Sequence, residues 1–402
     1  MPEPKQYQGK PENQVVGRAK PKKPKKPKTG GKSAGALRRT AEGLDSRRVA
    51  IKALERITGA GSFANLVLGP LLDRSSLEGR DRALVTEMVY GTTRMQRALD
   101  HLIDQFLLDE VDHHTRSALR LGTYQIHFMN VPTFAAVDAT VGASKKRVRG
   151  LVNAVLRKVA DAPHDWPSDA VRLSYPDWIV DRLSADLGRT AALEALEAMN
   201  EAAITTTRDD GYVQDPASQE VVALLEAQPG ELILDLCAAP GGKATGLAAS
   251  GAFVVAGDLH AKRARLVRRN ATSTGSVVAV LAADARSFPV REDCADAVLL
   301  DAPCSGLGSL RRRADARWRI DPDAPVRLGA IQRELLLAAA ALVKPGGRLM
   351  YSVCTLTTAE TTDVIKALDW PASAPVVRLP STDSDGMWSQ MFTRPQAGQR
   401  AV

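Results

Sequence analysis

Cysteine is scarce in this chain: Cys237, Cys294, Cys304 and Cys354 are the only four in 402 residues. They are too few and too widely spaced for a disulfide framework, and no Cys-x-x-Cys pair is present to hold a structural zinc. The six histidines show no metal-ligand spacing. No apolar run reaches the ~18 residues that a membrane span needs. The N-terminus carries Lys and Pro where a signal peptide would have an apolar stretch. These absences lead to an expected chain with reduced thiols, in the cytoplasm, without metal or membrane partner.

The hydrophobic share is 44% and the mean hydropathy is −0.17, which suits a globular body. The formal charge of +8 is not evenly spread: residues 1–45 hold 12 basic and 4 acidic side chains, so residues 46–402 sum to zero. The leading segment includes Lys20-Pro21-Lys22-Lys23-Pro24-Lys25-Lys26-Pro27-Lys28. Proline breaks helices and apolar residues are few, so 1–45 is expected to form a disordered basic tail. It is either an electrostatic arm for nucleic acid or a solubilising extension.

Residues 46–165 show helical spacing of apolar residues: Ile51, Leu54, Ile57; Phe63, Leu66, Val67, Leu71; Leu84, Val85, Met88, Val89; Leu99, Leu102, Ile103, Phe106. The pattern predicts an all-α domain of six or seven helices. Residues 166–225 read as a linker or small subdomain with helices near 176–187 and 191–200. From 226 to 402, short apolar runs alternate with helices: strands at 232–236, 253–256, 277–281, 297–300 and 348–352, helices from 242, at 261–274, 331–343 and 360–368. This alternation predicts an α/β, doubly wound, mainly parallel sheet.

In such sheets the ligand lies outside the carboxyl ends of the strands, near the switch point. The first strand runs into Cys237-Ala238-Ala239-Pro240-Gly241-Gly242-Lys243, whose small residues let backbone approach a ligand. The helix opening at Gly242 offers free N–H groups, and Asp258 ends the second strand where ribose hydroxyls would need an acceptor. The loop lacks the Gly-x-Gly-x-x-Gly of dinucleotide sites and the Gly-x-x-x-x-Gly-Lys-Ser/Thr of phosphate loops. A nucleoside without a pyrophosphate fits better, and S-adenosylmethionine is such a ligand.

The fourth strand leads into Asp301-Ala302-Pro303-Cys304 and the fifth into Tyr351-Ser352-Val353-Cys354. An isolated Cys is usually an inert buried hydrophobe. Two thiols at equivalent strand ends beside a cofactor loop are a different matter, because neighbouring strands would open both onto one crevice.

With these segments in view, the chain resembles the RNA cytosine-5 methyltransferases of the Nol–Nop–Sun family over roughly residues 214–355. The likeness includes Gln214–Gln219, Gly308–Arg319 and Lys344-Pro345-Gly346-Gly347, while residues 46–165 resemble the antitermination factor NusB. Together they are similar to the bacterial enzymes that methylate small-subunit ribosomal RNA. The resemblance implies a class I Rossmann-like methyltransferase domain behind a NusB-like RNA-binding domain. It also implies Cys354 as nucleophile, Cys304 in product release, Asp301 on the cytosine edge and Lys243 beside base and nucleophile. Cys237–Lys243, Asp258, Asp284 and Asp301 would line the cofactor. Chemistry supports the assignment: cytosine C5 is a weak nucleophile until a thiolate adds to C6, which divides one hard step into easier ones. The chain departs from the family pattern at Val353, where Thr is usual, at Thr355, where Ser is common, and at Ala314, where Pro is usual; Cys294 matches no motif.

Arg311, Arg312, Arg313, Arg317 and Arg319 cluster with Trp318 just after the Cys304 tetrad. Phosphate contact and base stacking are expected of them, the alternative being a solvated charged loop. A base must leave its stack to reach Cys354, so unpaired RNA is the expected substrate. Ribosomal RNA is the leading partner for a monomeric chain. Transfer RNA, or a non-catalytic role in ribosome assembly, are the alternatives.

Overall fold

Leucine- and valine-rich runs too short for helices pair into a seven-stranded sheet. In the computed structural model, which describes residues 34–396, these are β1 (Leu232–Asp235), β2 (Phe253–Asp258), β3 (Val278–Ala282), β4 (Ala295–Asp301), β5 (Val343–Val353), β6 (Val376–Arg378) and β7 (Met387–Thr393). The order is β3-β2-β1-β4-β5-β7-β6; the first five run parallel, and β7 and β6 pair antiparallel at one edge. The order reverses between β1 and β4, so the loops leaving their carboxyl ends diverge and open a crevice. Both faces of the central strands are covered, and Val298, Leu299 and Leu300 are wholly buried, which is why residues 297–300 of β4 read as an apolar run. The doubly wound α/β architecture expected from the alternation is the one observed.

Some boundaries differ for physical reasons. Lys344–Gly347 bulges out of the ladder between the pairs Ala295↔Val343 and Ala297↔Arg348, so β5 begins earlier than its apolar run. The helix expected over 360–368 shrinks to Thr362–Ile365 after a short turn at Thr358–Glu360, in a stretch rich in β-branched threonine. β6 and β7 add two strands beyond those that the alternation predicts.

The helical half comprises α1 (Ala34–Leu54), α2 (Ala64–Asp73), α3 (Gly79–Arg94), α4 (Gln96–Asp104), α5 (His113–His127), α6 (Thr133–Ala143) and α7 (Arg149–Ala160). Ile51, Leu54, Val85, Met88, Leu99, Leu102, Ile103 and Leu156 form its core, each such burial stabilising by about 1.5–3 kcal/mol. Phe63 and Leu66, expected on an apolar face, are instead exposed at 54% and 67%. α1 begins at Ala34, inside the segment read as disordered: beyond Pro27 the prolines cease, and alanine, leucine and arginine favour helix. The Lys/Pro run itself lies outside the described residues.

Region 166–225 is more than a connector. It holds α8 (Asp169–Arg172), α9 (Asp177–Leu187), α10 (Arg189–Ala198) and α11 (Pro216–Leu224). Tyr175, Ile179, Leu183, Leu196 and Met199 form a core with Leu307, Leu310 and Leu356, residues of the two cysteine loops. The remaining helices are α12 (Gly242–Ala248), α13 (Ala261–Thr274), α14 (Ala324–Leu342) and α15 (Thr362–Ile365). Among the described residues no helix is long and apolar enough to cross a membrane.

Candidate active site

The loop after β1 turns sharply into α12 at Gly241, whose φ of +109° suits glycine; an added Cβ would also stand 3.2 Å from the backbone of Val267. The loop borders a cavity of about 330 Å³ lined by Gln214, Cys237, Lys243, Asp301 and Cys354. A second cavity, about 340 Å³, is bounded by Asp258, His260 and Arg263 and shares Cys237, Ala239, Asp301, Arg313 and Cys354 with the first. The loop, the Asp258 strand end and both thiols therefore belong to one continuous crevice. Asp258 accepts from Arg263 Nε at 2.9 Å and from the His260 amide at 3.1 Å. Asp284 follows β3, is forked by Arg286, and lines neither cavity.

Asp235, the last residue of β1, was not singled out from the sequence. It lines the first cavity, is buried, and neither carboxylate oxygen has a hydrogen-bond partner. Burial, helped by the Asp301 charge and opposed by Lys243, raises its carboxyl to about 7. A signal existed: a carboxylate closing an otherwise wholly apolar strand, Leu-Ile-Leu-Asp, is costly unless something pairs with it. Burial also pushes the Cys237 thiol up, leaving it a protonated wall residue.

The β4–β5 register pairs Leu300 with Tyr351 and Asp301 with Ser352, so the two loops leave the sheet side by side. Cys304 Sγ lies 3.3 Å from Cys354 Sγ. Ser309 Oγ stands 3.7 Å from Cys354 Sγ. Asp301 accepts from Lys243 Nζ and from Ser352 Oγ, both at 2.8 Å. The hydrogen bond shared with Cys304 brings the Cys354 thiol down to about 7, against burial and Asp301 and with help from Arg313 and Ser309, while the same contact and burial push Cys304 well up. Burial would lower the Lys243 pKa, but Asp301 and the Cys354 charge outweigh it and the net shift is upward, so the ammonium persists. The crevice thus sets an ammonium beside two coupled thiols, of which Cys354 is the one eased toward the thiolate.

The arginine segment does not form the RNA patch expected of it. Arg311 is wholly buried, donating to Asp385 at 2.6 Å, to Asp215 at 3.1 Å and to the carbonyls of Ser381 and Thr382. Arg312 bridges the same two carboxylates. Arg317 is buried over the Tyr175 ring, 3.9 Å from its centroid, and donates to Asn200 Oδ1. Trp318 Nε1 donates to the Thr93 carbonyl, and Arg319 donates to the Gly61 carbonyl and covers Phe63. Arg317 (which also reaches the Arg94 carbonyl), Trp318 and Arg319 join the helical half to the sheet half, while Arg311 and Arg312 tie the segment before β7 to Asp215; a buried guanidinium is tolerated only where its donors are met. Arg313 alone of the six is exposed and faces both cavities.

Comparison with known proteins agrees with this geometry. A family model described as 16S rRNA methyltransferase RsmB/F matches residues 222–391, and the NusB family model matches residues 44–161. The chain is 38% identical over 337 residues to Ribosomal RNA small subunit methyltransferase B of Thermus thermophilus, covering 76% of this chain and 83% of that protein. It is 32% identical over 393 residues to the protein of the same name from Pseudomonas syringae pv. tomato, covering 81% and 86%. The crystal structure of PH0851 superposes with a TM-score of 0.69 over 87% of this chain and 98% of that one, at 21% identity, a likeness of fold.

Proposed function

Because the chain belongs to the 16S rRNA methyltransferase RsmB/F family, we propose that it transfers a methyl group from S-adenosylmethionine to C5 of a cytosine in small-subunit ribosomal RNA, through a covalent bond between Cys354 and C6. The observation that carries this reading is the thiol pair, 3.3 Å apart, in a crevice shared with the glycine loop. A methyltransferase acting on an oxygen or an exocyclic nitrogen has no use for two such thiols.

The residues fit the cofactor. The buried Asp235 oxygens, which no side chain meets, call for a donor, and the α-ammonium of the methionine portion is one. Loop residues 237–243 would pass along the ligand, and Asp258, closing β2, would accept from the nucleoside, whereas Asp284, just beyond β3, lies outside both cavities. S-adenosylmethionine supplies an electrophilic methyl for the activated ring carbon.

The chain's own groups do the rest. Cys354, as thiolate, adds to C6 and moves electron density onto C5. Asp301, held by Lys243 and Ser352, orients the N3/N4 edge of the base, and the Lys243 ammonium steadies the negative charge that develops. After methylation a base removes the C5 proton and the Sγ–C6 bond breaks, with Cys304 assisting release. The NusB-like half serves RNA binding, in the cytoplasm. The substrate that the relatives are named for favours ribosomal over transfer RNA, and the thiol pair speaks against a non-catalytic assembly factor.

The test is to map 5-methylcytosine in ribosomal RNA with and without the protein, alongside Cys354→Ala. A mark that depends on the protein and vanishes in that variant, with cofactor affinity nearly unchanged, is expected. Full turnover by Cys354→Ala would remove the nucleophile assignment, and label confined to transfer RNA would remove the substrate.

A further inference from the structure

Glu360 is fully buried, yet no lysine or arginine pairs with it among the described residues. Five neutral donors meet its carboxylate instead. From the Cys304 loop come the Ser305 amide at 2.7 Å and the Ser305 hydroxyl; from the Cys354 loop, Thr355 Oγ1 at 3.2 Å and Thr357 Oγ1 at 3.0 Å; from α14, Gln332 Nε2 at 3.2 Å. Ser305 and Thr355 directly follow the two cysteines, and their hydroxyls also lie 3.1 Å apart. Gln332 in turn donates to the carbonyl of Pro303, just before Cys304. One side chain thus holds both loops by the residues flanking their thiols.

Burying an ionised carboxylate is costly, and apolar packing would serve stability as well or better. The charge calls for another reason. We infer that Glu360 is the positioning residue of the thiol pair: it clamps the Cys304 loop to the Cys354 loop and thereby decides which of the two cysteines is the nucleophile. The asymmetry lies in what surrounds each sulfur. Arg313 and Ser309 favour negative charge on Cys354, whereas Glu360 disfavours it on Cys304. The other groups facing the pair, Asp301 and Lys243, act on Cys354 with opposite signs. With the clamp in place Cys304 stays the donor and Cys354 the acceptor across the short sulfur contact. The inference rests on Cys354 being the nucleophile proposed above.

The test is iodoacetamide labelling of the full chain over a pH series, each cysteine quantified by peptide mass spectrometry. In the parent, Cys354 should be labelled first, with an inflection near about 7. Glu360→Gln keeps the shape and loses the charge. In that variant Cys304 should become labelled alongside Cys354, and the Cys354 inflection should move toward the free-thiol value of about 8.5. The kcat for RNA methylation should fall roughly tenfold or more while the KM for RNA stays within about twofold, as expected when groups are misplaced rather than binding lost. Glu360→Asp, which restores the charge, should recover preference for Cys354. Ser305→Ala and Thr355→Val, each removing one donor, should give smaller shifts in the same direction and decide the matter if Glu360→Gln does not fold. Labelling profiles that overlay the parent in the folded variants would overturn the inference. Labelling needs no RNA, so a parent that selects Cys354 but methylates no cytosine would instead overturn the proposed function.

Discussion

At the scale of single residues, the site depends on which sulfur holds the proton. The hydrogen bond shared with Cys304 lowers the Cys354 thiol to about 7. In the proposed mechanism the active form is the deprotonated one, so kcat/KM for RNA should rise with pH through that value and level off above it; a profile flat from pH 6 to 9 would remove the thiolate from the rate law. Arg313→Ala withdraws a favourable charge, so its rising limb should lie at higher pH than the parent's. Cys304→Ala should accumulate a covalent RNA–protein adduct, seen as a slow band on denaturing gels, if Cys304 serves in release. The two cysteines were legible in the sequence because each ends a strand, a local pattern. Asp235 left a signal that was not used, as the one charge on an apolar strand. Glu360 was not legible, because its donors come from three separate segments.

At the scale of elements, Gly308–Arg319 shows how a motif can mislead. Its basic residues beside Cys304 look like a phosphate-binding stretch, but the partners of Arg311, Asp385 and Asp215, are 74 and 96 residues away in sequence. Arg311→Ala would strip both carboxylates of a buried partner, so we expect a destabilisation of about 3–5 kcal/mol in urea titrations. Arg313→Ala, at an exposed position, should change stability by no more than about 0.5 kcal/mol and act on RNA binding or the nucleophile instead. Equal losses in the two variants would contradict the division between seam and surface. The same contrast explains Phe63, exposed on α2's leading side yet covered by Arg319.

At the scale of the whole molecule, the +8 charge falls in the first 33 residues, which hold 10 basic and 2 acidic side chains, so the described body is close to neutral. Deleting residues 1–33 should weaken RNA binding and flatten its salt dependence. The log–log slope should shrink by about 0.7–0.9 for each phosphate that the segment neutralises, while the methylated position stays unchanged. A changed position would make this segment a reader of sequence rather than an aid to affinity. The helical and sheet halves meet through Trp318, Arg317 and Arg319, which donate to the carbonyls of Thr93, Arg94 and Gly61 respectively, so far-UV dichroism and tryptophan fluorescence should report one coincident unfolding transition.

Local and periodic information was enough for the α/β alternation, the helical leading domain, the glycine loop and the cysteines at strand ends, because backbone propensity and side-chain spacing act over a few residues. The family resemblance then supplied roles that spacing alone could not. Tertiary structure decided what depends on distant partners: that the two thiols touch, that Glu360 clamps their loops, that Asp235 is left unpartnered in the crevice, and that most of the arginine segment is seam rather than surface. Burial sets the meaning of a charge, and burial is a property of the folded chain.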